Sequence, residues 1–146
     1  MKLITNNNKL CMAASFAMVY EWPMEIISKI ENPLDKVFYN GDIRGHHVQD
    51  FVKYALARGE HITEVEYQPV LTNGINNFLL DQNFWELLDG RRAVIALDLG
   101  GVGHCVAWDG QCVYDPRGRI YKKENLHGEI LCAWIRDANT RKQTHS

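Results

Sequence analysis

The segment that decides the fold occupies positions 103–115 and reads GHCVAWDGQCVYD. At its centre, Asp109-Gly110 strongly favours a two-residue β-hairpin turn, because both central positions of that turn require a positive φ. A turn at this dipeptide predicts that Trp108 pairs with Gln111 across two antiparallel strands. The sequence therefore predicts a tight hairpin in the second half of the chain.

Counted outward from this turn, His104 stands directly opposite Asp115. Side chains alternate along a strand, so the two project from one face, with Cβ atoms about 4.5–5.5 Å apart. A carboxylate at that distance can fix the imidazole tautomer and favour its protonated form. An incidental polar pair is the alternative interpretation. The glycines Gly100, Gly101 and Gly103 allow a close approach to the histidine and favour the functional one.

A second chemical group lies near the N-terminus, where the segment 9–21 predicts a helix from its apolar spacing. Asn8 is a suitable N-cap, which places Cys11 in the first turn. There the amide groups and the helix dipole favour the thiolate, so Cys11 is a candidate nucleophile that could act with His104 and Asp115. A buried core cysteine is the alternative interpretation.

The rest of the chain predicts helices first and strands afterwards. We expect further helices at about 24–31, 46–58 and 75–89, and strands at about 62–67, 93–99, 104–108, 111–115 and 129–135. This segregation predicts an α+β fold, with N-terminal helices packed on one side of a C-terminal antiparallel β-sheet. Residues 1–138 are predicted to form a single domain and 139–146 a polar tail.

Composition and charge argue against several function classes. The chain has 146 residues, 46% hydrophobic and 23% charged, and its net charge is −2. A nucleic-acid-binding surface normally shows an excess of Lys and Arg. No apolar run approaches the length of a membrane span, and the N-terminus becomes polar too early for a signal peptide. We therefore expect a cytoplasmic protein, in a bacterial or host cell, with neither nucleic-acid nor membrane partners.

The chain contains four cysteines but no CxxC pair, so free thiols are expected. Cys105 and Cys112 alternate away from the histidine face of the hairpin, so both are predicted to be core residues, as is Cys132. The pair His46-His47 lacks a third ligand at metal-binding spacing. The sequence therefore predicts neither a metal site nor a cofactor.

These residues resemble the papain-like cysteine peptidases, most closely the bacteriocin-processing (double-glycine leader) peptidases and related small bacterial papain-like enzymes. The segment 11–19, CMAASFAMV, is similar to the helix that carries their nucleophile. The segments 103–108, GHCVAW, and 113–116, VYDP, are similar to their hairpin with Gly-His and Asp-Pro. With likenesses at 45–59 and 90–97, the resemblance spans most of the chain.

The resemblance implies a role for each candidate residue. Cys11 is expected to be the nucleophile, His104 the general base and acid, and Asp115 the group that orients the imidazole. Gly103, next to the histidine, and Trp108, on the same face of its strand, are candidates for a substrate groove, although the core is the slightly favoured position for Trp108.

The resemblance also implies an oxyanion hole, built from the backbone amide of the nucleophile and an upstream side-chain amide. The family usually has Gln six residues before the cysteine, where this chain has Thr5. Asn6 and Asn7 are the nearest amides and become the oxyanion-hole candidates. Met12 stands where the family usually has Gly.

Three functions stay open at this point. The chain could hydrolyse a peptide or isopeptide bond through a Cys-His-Asp triad. It could be an acyltransferase or deamidase with the same triad, or a protein-binding module that keeps the fold without catalysis. In each case the expected partner is a peptide or protein, and the small size suits a phage-encoded or accessory bacterial protein. Cleavage after Gly-Gly is an expectation from the resemblance.

Overall fold

A computed structural model of the chain describes residues 1–5, 10–27, 30, 47–67 and 77–137. Within these ranges the strands form a six-stranded antiparallel sheet of order β1-β6-β2-β3-β4-β5. The strands are β1 (Ile62–Glu66), β2 (Ala93–Asp98), β3 (Gly103–Trp108), β4 (Cys112–Asp115), β5 (Arg119–Lys122) and β6 (Glu129–Arg136). The helices are α1 (Cys11–Tyr20), α2 (Met24–Ile27), α3 (Val48–Ala57) and α4 (Asn77–Leu88), with a 3₁₀ turn at Lys123–Asn125.

Helix α1 is buried against the sheet. Every residue from Ala13 to Tyr20 is buried, and the alanines among them allow the helix to approach the strands closely, because the distance between packed elements depends on side-chain size. The ring of Phe16 stacks on Phe51 of α3, with the ring centroids 4.8 Å apart. This packing fixes the position of Cys11, the first residue of the helix, relative to the sheet.

Alternate residues of the strands build two cores, one on each face of the sheet. Val94, Cys105 and Ala107 belong to the core that contains α1 and α3, whereas Ile95 and Val106 belong to the core that α4 covers. The prediction that the helices lie on one side is therefore wrong. A second helical layer is needed because β2 and β3 are buried almost throughout and so present apolar side chains on both faces.

The hairpin is present, but its turn lies one residue later than predicted. Trp108 pairs with Val113 rather than with Gln111, and the N–H of Asp109 donates to the carbonyl of Cys112 at 3.1 Å. The two central residues are therefore Gly110 and Gln111, with Gly110 at φ 104°, which matches the glycine that a type II′ turn requires at its first central position.

The physical reason for this displacement is the side chain of Asp109. Its Oδ1 accepts hydrogen bonds from the backbone N–H of Gln111 at 2.8 Å and of Cys112 at 2.7 Å. Asp109 therefore caps the turn from the position before it instead of occupying one of its two central positions. Moving the turn centre by one residue shifts the pairing of the two strands by two residues. Side chains along a strand alternate between faces with a period of two residues. The predicted faces are therefore preserved, although the directly opposed pairs are not.

The boundaries of the five predicted strands differ from the expected ones by at most one residue. The helices predicted at 24–31, 46–58 and 75–89 include positions outside the described residues, and the predicted tail 139–146 lies outside them altogether. Helix α1 begins at Cys11, with Leu10 in the cap position and no side-chain cap; the predicted N-cap, Asn8, lies outside the described residues. Strand β5 was not predicted. The sequence that precedes it, Asp115-Pro116-Arg117-Gly118, has a turn composition that could have revealed a second hairpin.

Candidate active site

His104 and Asp115 are brought together at one end of β3. Nε2 of His104 lies 3.0 Å from Oδ1 of Asp115, and the two residues are buried, with 7% and 1% of their surface exposed. The register that pairs Ala107 with Tyr114 makes Asp115 a diagonal rather than a direct neighbour of His104. Diagonal neighbours are still within reach of long or aromatic side chains. The predicted contact between His104 and Asp115 therefore forms, although the strands pair in a different register from the predicted one.

Asp115 is held by more than the histidine. The backbone N–H of Arg117 donates to Oδ1 at 2.9 Å, and the guanidinium Nη2 donates to Oδ2 at 2.9 Å. The hydroxyl of Tyr121 also reaches Oδ2, at 3.4 Å. Burial alone would raise the pKa of Asp115, but the hydrogen bonds from His104 and Arg117 outweigh it and hold that pKa well below its usual value. Asp115 is therefore a carboxylate in a fixed orientation.

Sequence reasoning missed Arg117 and Tyr121 as parts of this site. Arg117 follows the aspartate by two residues, within the turn between β4 and β5, and that proximity was the available signal. Tyr121 lies on β5, the strand that was not predicted, so its position depends on the second hairpin.

The thiol of Cys11 lies at an open edge of β3. Among the described residues, the β3–β4 ladder ends at Ala107, so this edge is open at His104 and Cys105. The thiol is hydrogen-bonded to the side chain and the backbone N–H of Cys105 and to the side chain of His104. Consecutive residues of a strand point to opposite faces, and a group at the edge can contact both. Helix α1 and the short β4 ladder therefore determine this position together.

The charges of Cys11 and His104 stabilise each other. Hydrogen bonding to the Cys105 side chain, opposed by burial and assisted by His104, lowers the pKa of Cys11 to about 4. Burial alone would lower the pKa of His104, but the hydrogen bonds with Asp115 and Cys11 raise it to about 9. Between these two values the site holds a thiolate beside an imidazolium, which is the reactive state of a cysteine nucleophile with its proton donor.

The two ring nitrogens of His104 serve different partners. Nε2 faces the carboxylate of Asp115, so the interaction with the thiol falls to Nδ1. Proton transfer at Nδ1 can then occur while the Nε2 contact keeps the ring in place. This is the arrangement that a general acid and base needs.

Cys105 contacts the candidate nucleophile, which sequence reasoning did not predict. Alternation correctly indicated a core residue on the face opposite to His104. It did not indicate that the start of α1 approaches the same strand edge. The hydrogen bond to Cys11, together with burial, raises the pKa of the Cys105 thiol well above its usual value. Cys105 is therefore a neutral thiol that donates to the Cys11 thiolate.

The structure separates the two groove candidates. Gly103 is exposed at the start of β3, and a Cβ placed on it would meet nothing within 4 Å, so space is open beside His104. Trp108 does not line this space. It is 3% exposed, and its indole N–H donates to the carbonyl of Leu88 at 2.7 Å. Trp108 lies at the far end of β3 under α4, so the groove assignment is corrected to a core position.

One of the predicted oxyanion-hole donors can be placed. Cys11 is the first residue of α1, and the first N–H groups of a helix have no acceptor within the helix, so its backbone amide suits that role. Asn6 and Asn7 lie outside the described residues. The methyl group of Thr5 is 3.8 Å from the position of a Cβ on Gly118, in the turn that follows Asp115, so the chain before the nucleophile runs beside the wall of the site.

Within the described ranges, no group of three or more His, Cys, Asp or Glu side chains is arranged to hold a metal ion. No helix in the same part of the chain combines the length and apolar character needed to cross a bilayer.

No model of a protein family matches the sequence, and no curated protein is significantly similar to it. The geometry of the site is therefore what supports a function.

Proposed function

We propose that this chain is a papain-like cysteine hydrolase that cleaves a peptide or isopeptide bond, with Cys11, His104 and Asp115 as its triad. The observation that carries the proposal is that His104, whose Nε2 lies 3.0 Å from Oδ1 of Asp115, also contacts the Cys11 thiol. This contact helps to lower the pKa of Cys11 and to raise the pKa of His104. This pair supplies a nucleophile and a proton donor at one point, which is what acyl transfer from an amide requires.

The proposed reaction has two stages. The Cys11 thiolate attacks the amide carbonyl carbon, and the oxygen that becomes negative is stabilised by the backbone N–H of Cys11. His104 gives its Nδ1 proton to the departing amine, the C–N bond breaks, and a thioester remains on Cys11. Neutral His104 then takes a proton from water as the water attacks the thioester. The acid product leaves, and the thiolate–imidazolium pair is restored.

Asp115 contributes by position and charge. Its contact with Nε2 keeps Nδ1 directed at the thiol through both stages, and its negative charge stabilises the imidazolium. Because Arg117 and Tyr121 hold the carboxylate from its other side, the aspartate does not have to reorient when the proton leaves His104.

Alkylation by iodoacetamide at about pH 6 tests the nucleophile directly. An ordinary thiol, with a pKa of about 8.5, is almost fully protonated at that pH, whereas Cys11, with a pKa of about 4, is a thiolate. We expect Cys11 to be labelled first and partly exposed Cys112 to remain unmodified. Equal labelling of the four cysteines in the folded protein contradicts the proposal.

The reaction type is tested with a panel of peptides and isopeptide-linked proteins, and the products are identified by mass. Hydrolysis gives two fragments, deamidation a gain of about 1 Da, and acyl transfer a new conjugate. The proposal expects fragments from the wild type and from Cys112→Ala, and none from Cys11→Ala. If every peptide is bound but left intact by the wild type, a binding module replaces the hydrolase.

A further inference from the structure

Two cysteine sulfur groups meet at the candidate active site, and the reaction above uses one of them. Cys11 packs against the core cluster that contains Cys105, and the Cys105 thiol and backbone N–H both hydrogen-bond to the Cys11 sulfur. Cys105 is buried, whereas Cys11 is partly exposed. A reagent from solvent therefore reaches Cys11 first, and the product formed there already has a second thiol against it.

We propose that Cys11 and Cys105 form a reversible intramolecular disulfide when the protein meets a hydroperoxide, which makes this pair a covalent modification site. The oxidation itself requires only the contact between the two sulfurs. Its consequence, a reversible loss of hydrolysis, rests on the function proposed above.

The first step oxidises Cys11. The thiolate attacks the terminal oxygen of the hydroperoxide, an S–O bond forms, and the O–O bond breaks. The leaving oxygen takes a proton from the His104 imidazolium and departs as water or an alcohol. The sulfur has lost two electrons and become a sulfenic acid, and the peroxide has gained them. Partly exposed thiolates of low pKa are the cysteines that undergo this step.

The second step joins the two cysteines. The sulfur of Cys105 attacks the sulfenic sulfur, an S–S bond forms, and the S–O bond breaks with release of water. His104, which the first step left neutral, takes the proton of Cys105 and passes it to the departing oxygen, so that the oxygen leaves as water and His104 is neutral again. Oxidation of Cys11 also removes the thiolate whose hydrogen bond and charge raise the pKa of Cys105. The first step therefore prepares Cys105 for the second.

The sheet register excludes the other cysteines as partners of Cys105. Ala96 of β2 pairs with Cys105 on one side and with Cys132 on the other, so those two cysteines are two strand spacings apart, about 9–10 Å. A disulfide requires Cα atoms within about 7 Å. Cys112 lies beside the hairpin turn, at the opposite end of the β3–β4 ladder from His104. Cys11 is therefore the cysteine that Cys105 can join.

The disulfide has a chemical advantage for a thiolate of this kind. A sulfenic acid that is not captured can be oxidised further to the sulfinic and sulfonic acids, which thiols do not reduce. Capture by Cys105 stops the oxidation at a state that dithiothreitol reverses. The same bond occupies the sulfur that would attack a substrate, so the oxidised protein is inactive and recoverable.

Peptide mapping of the peroxide-treated protein tests the proposal without relying on activity. Trypsin cuts after Lys9 and Lys29, which isolates Cys11, and after Arg92 and Arg117, which isolates Cys105 together with Cys112. The Cys112→Ser variant leaves Cys105 as the single cysteine of the second peptide. In that variant we expect these two peptides to be joined, the whole chain to lose about 2 Da, and dithiothreitol to restore both.

Variants at the other cysteines complete the test. Cys132→Ser is expected to form the same bond, whereas Cys105→Ser is expected to gain about 16 Da and then about 32 or 48 Da at Cys11. The proposal fails if the wild type accumulates sulfinic acid at Cys11 while Cys105 remains alkylatable after denaturation. It also fails if the bond joins two chains. A protein that forms the bond but hydrolyses nothing would refute the proposed function alone.

Discussion

Nε2 of His104 lies 3.0 Å from Oδ1 of Asp115, although the two residues are diagonal neighbours and not an opposed pair of the sheet. Arg117 stabilises this position of the carboxylate, because its backbone N–H donates to Oδ1 and its guanidinium donates to Oδ2. The orientation of the candidate general acid and base therefore depends on the turn after β4 as much as on the hairpin before it.

Asp115→Asn should keep the shape of this contact and remove its charge. The pKa of His104, now about 9 through its bonds with Asp115 and Cys11, should fall. We expect kcat to drop by about 10²- to 10⁴-fold, because the ring loses both its tautomer and its stabilising charge. The measurement is kcat together with the alkaline limb of its pH profile. Asp89→Asn, at an exposed site beyond α4, is the matched control, and an unchanged D115N enzyme would remove Asp115 from the mechanism.

The pH dependence of kcat/KM should be bell-shaped, with limbs near 4 and 9. Below the pKa of Cys11, about 4, the thiolate is protonated and cannot attack. Above the pKa of His104, about 9, the imidazolium has lost the proton that the leaving amine needs. The two limbs of the profile belong to Cys11 and His104 as a coupled pair. A substitution of one of these residues should therefore shift the pKa of the other. An acid limb near the ordinary thiol pKa of about 8.5 would show that no ion pair forms.

Cys105→Ala should raise the pKa of Cys11, because the Cys105 thiol makes the largest contribution to lowering it. A hydrogen bond to a charged group contributes about 1.5–3 kcal/mol, so we expect a rise of about one to two units. Cys105→Ser keeps a donor and should give a smaller rise. The readout is the iodoacetamide rate at Cys11 against pH, with Cys132→Ala as control and circular dichroism as a check on folding. If the rate profiles of Cys105→Ala and Cys105→Ser both coincide with that of the wild type, the hydrogen bond between Cys105 and Cys11 is contradicted.

Gly110→Ala should destabilise the fold at the hairpin turn. Gly110 has φ 104°, and a Cβ there would lie 3.0 Å from backbone atoms of Gly90. We expect the free energy of unfolding to fall by about 1–3 kcal/mol, measured by urea denaturation. Gly103→Ala is the matched control, since a Cβ there meets nothing within 4 Å, and its unfolding free energy should stay within about 0.5 kcal/mol of the wild type. If the two substitutions lower the free energy of unfolding equally, the backbone conformation of Gly110 is not the cause.

The sequence alone predicted what depends on neighbours along the chain. The alternation in 103–115 indicated which side chains share a face, and that result survived because the turn moved by one residue and the register by two. The apolar spacing of 9–21 predicted a helix with Cys11 in its first turn, and α1 is that helix. These patterns repeat over a few residues, so local propensity and burial are enough to determine them.

Tertiary structure decided what depends on residues distant in sequence. A strand pattern that is apolar on both faces does not say which helix covers which face, and α4 proved to cover the second. The hydrogen bond from the Cys112 N–H to the side chain of Asp109 determines where the hairpin turn is centred. Strand β5 places the hydroxyl of Tyr121 beside Asp115. The contact between Cys11 and Cys105 exists because a helix end and an open strand edge meet. Only the packing of the whole chain determines such a meeting, since no short-range pattern carries the distance between two elements.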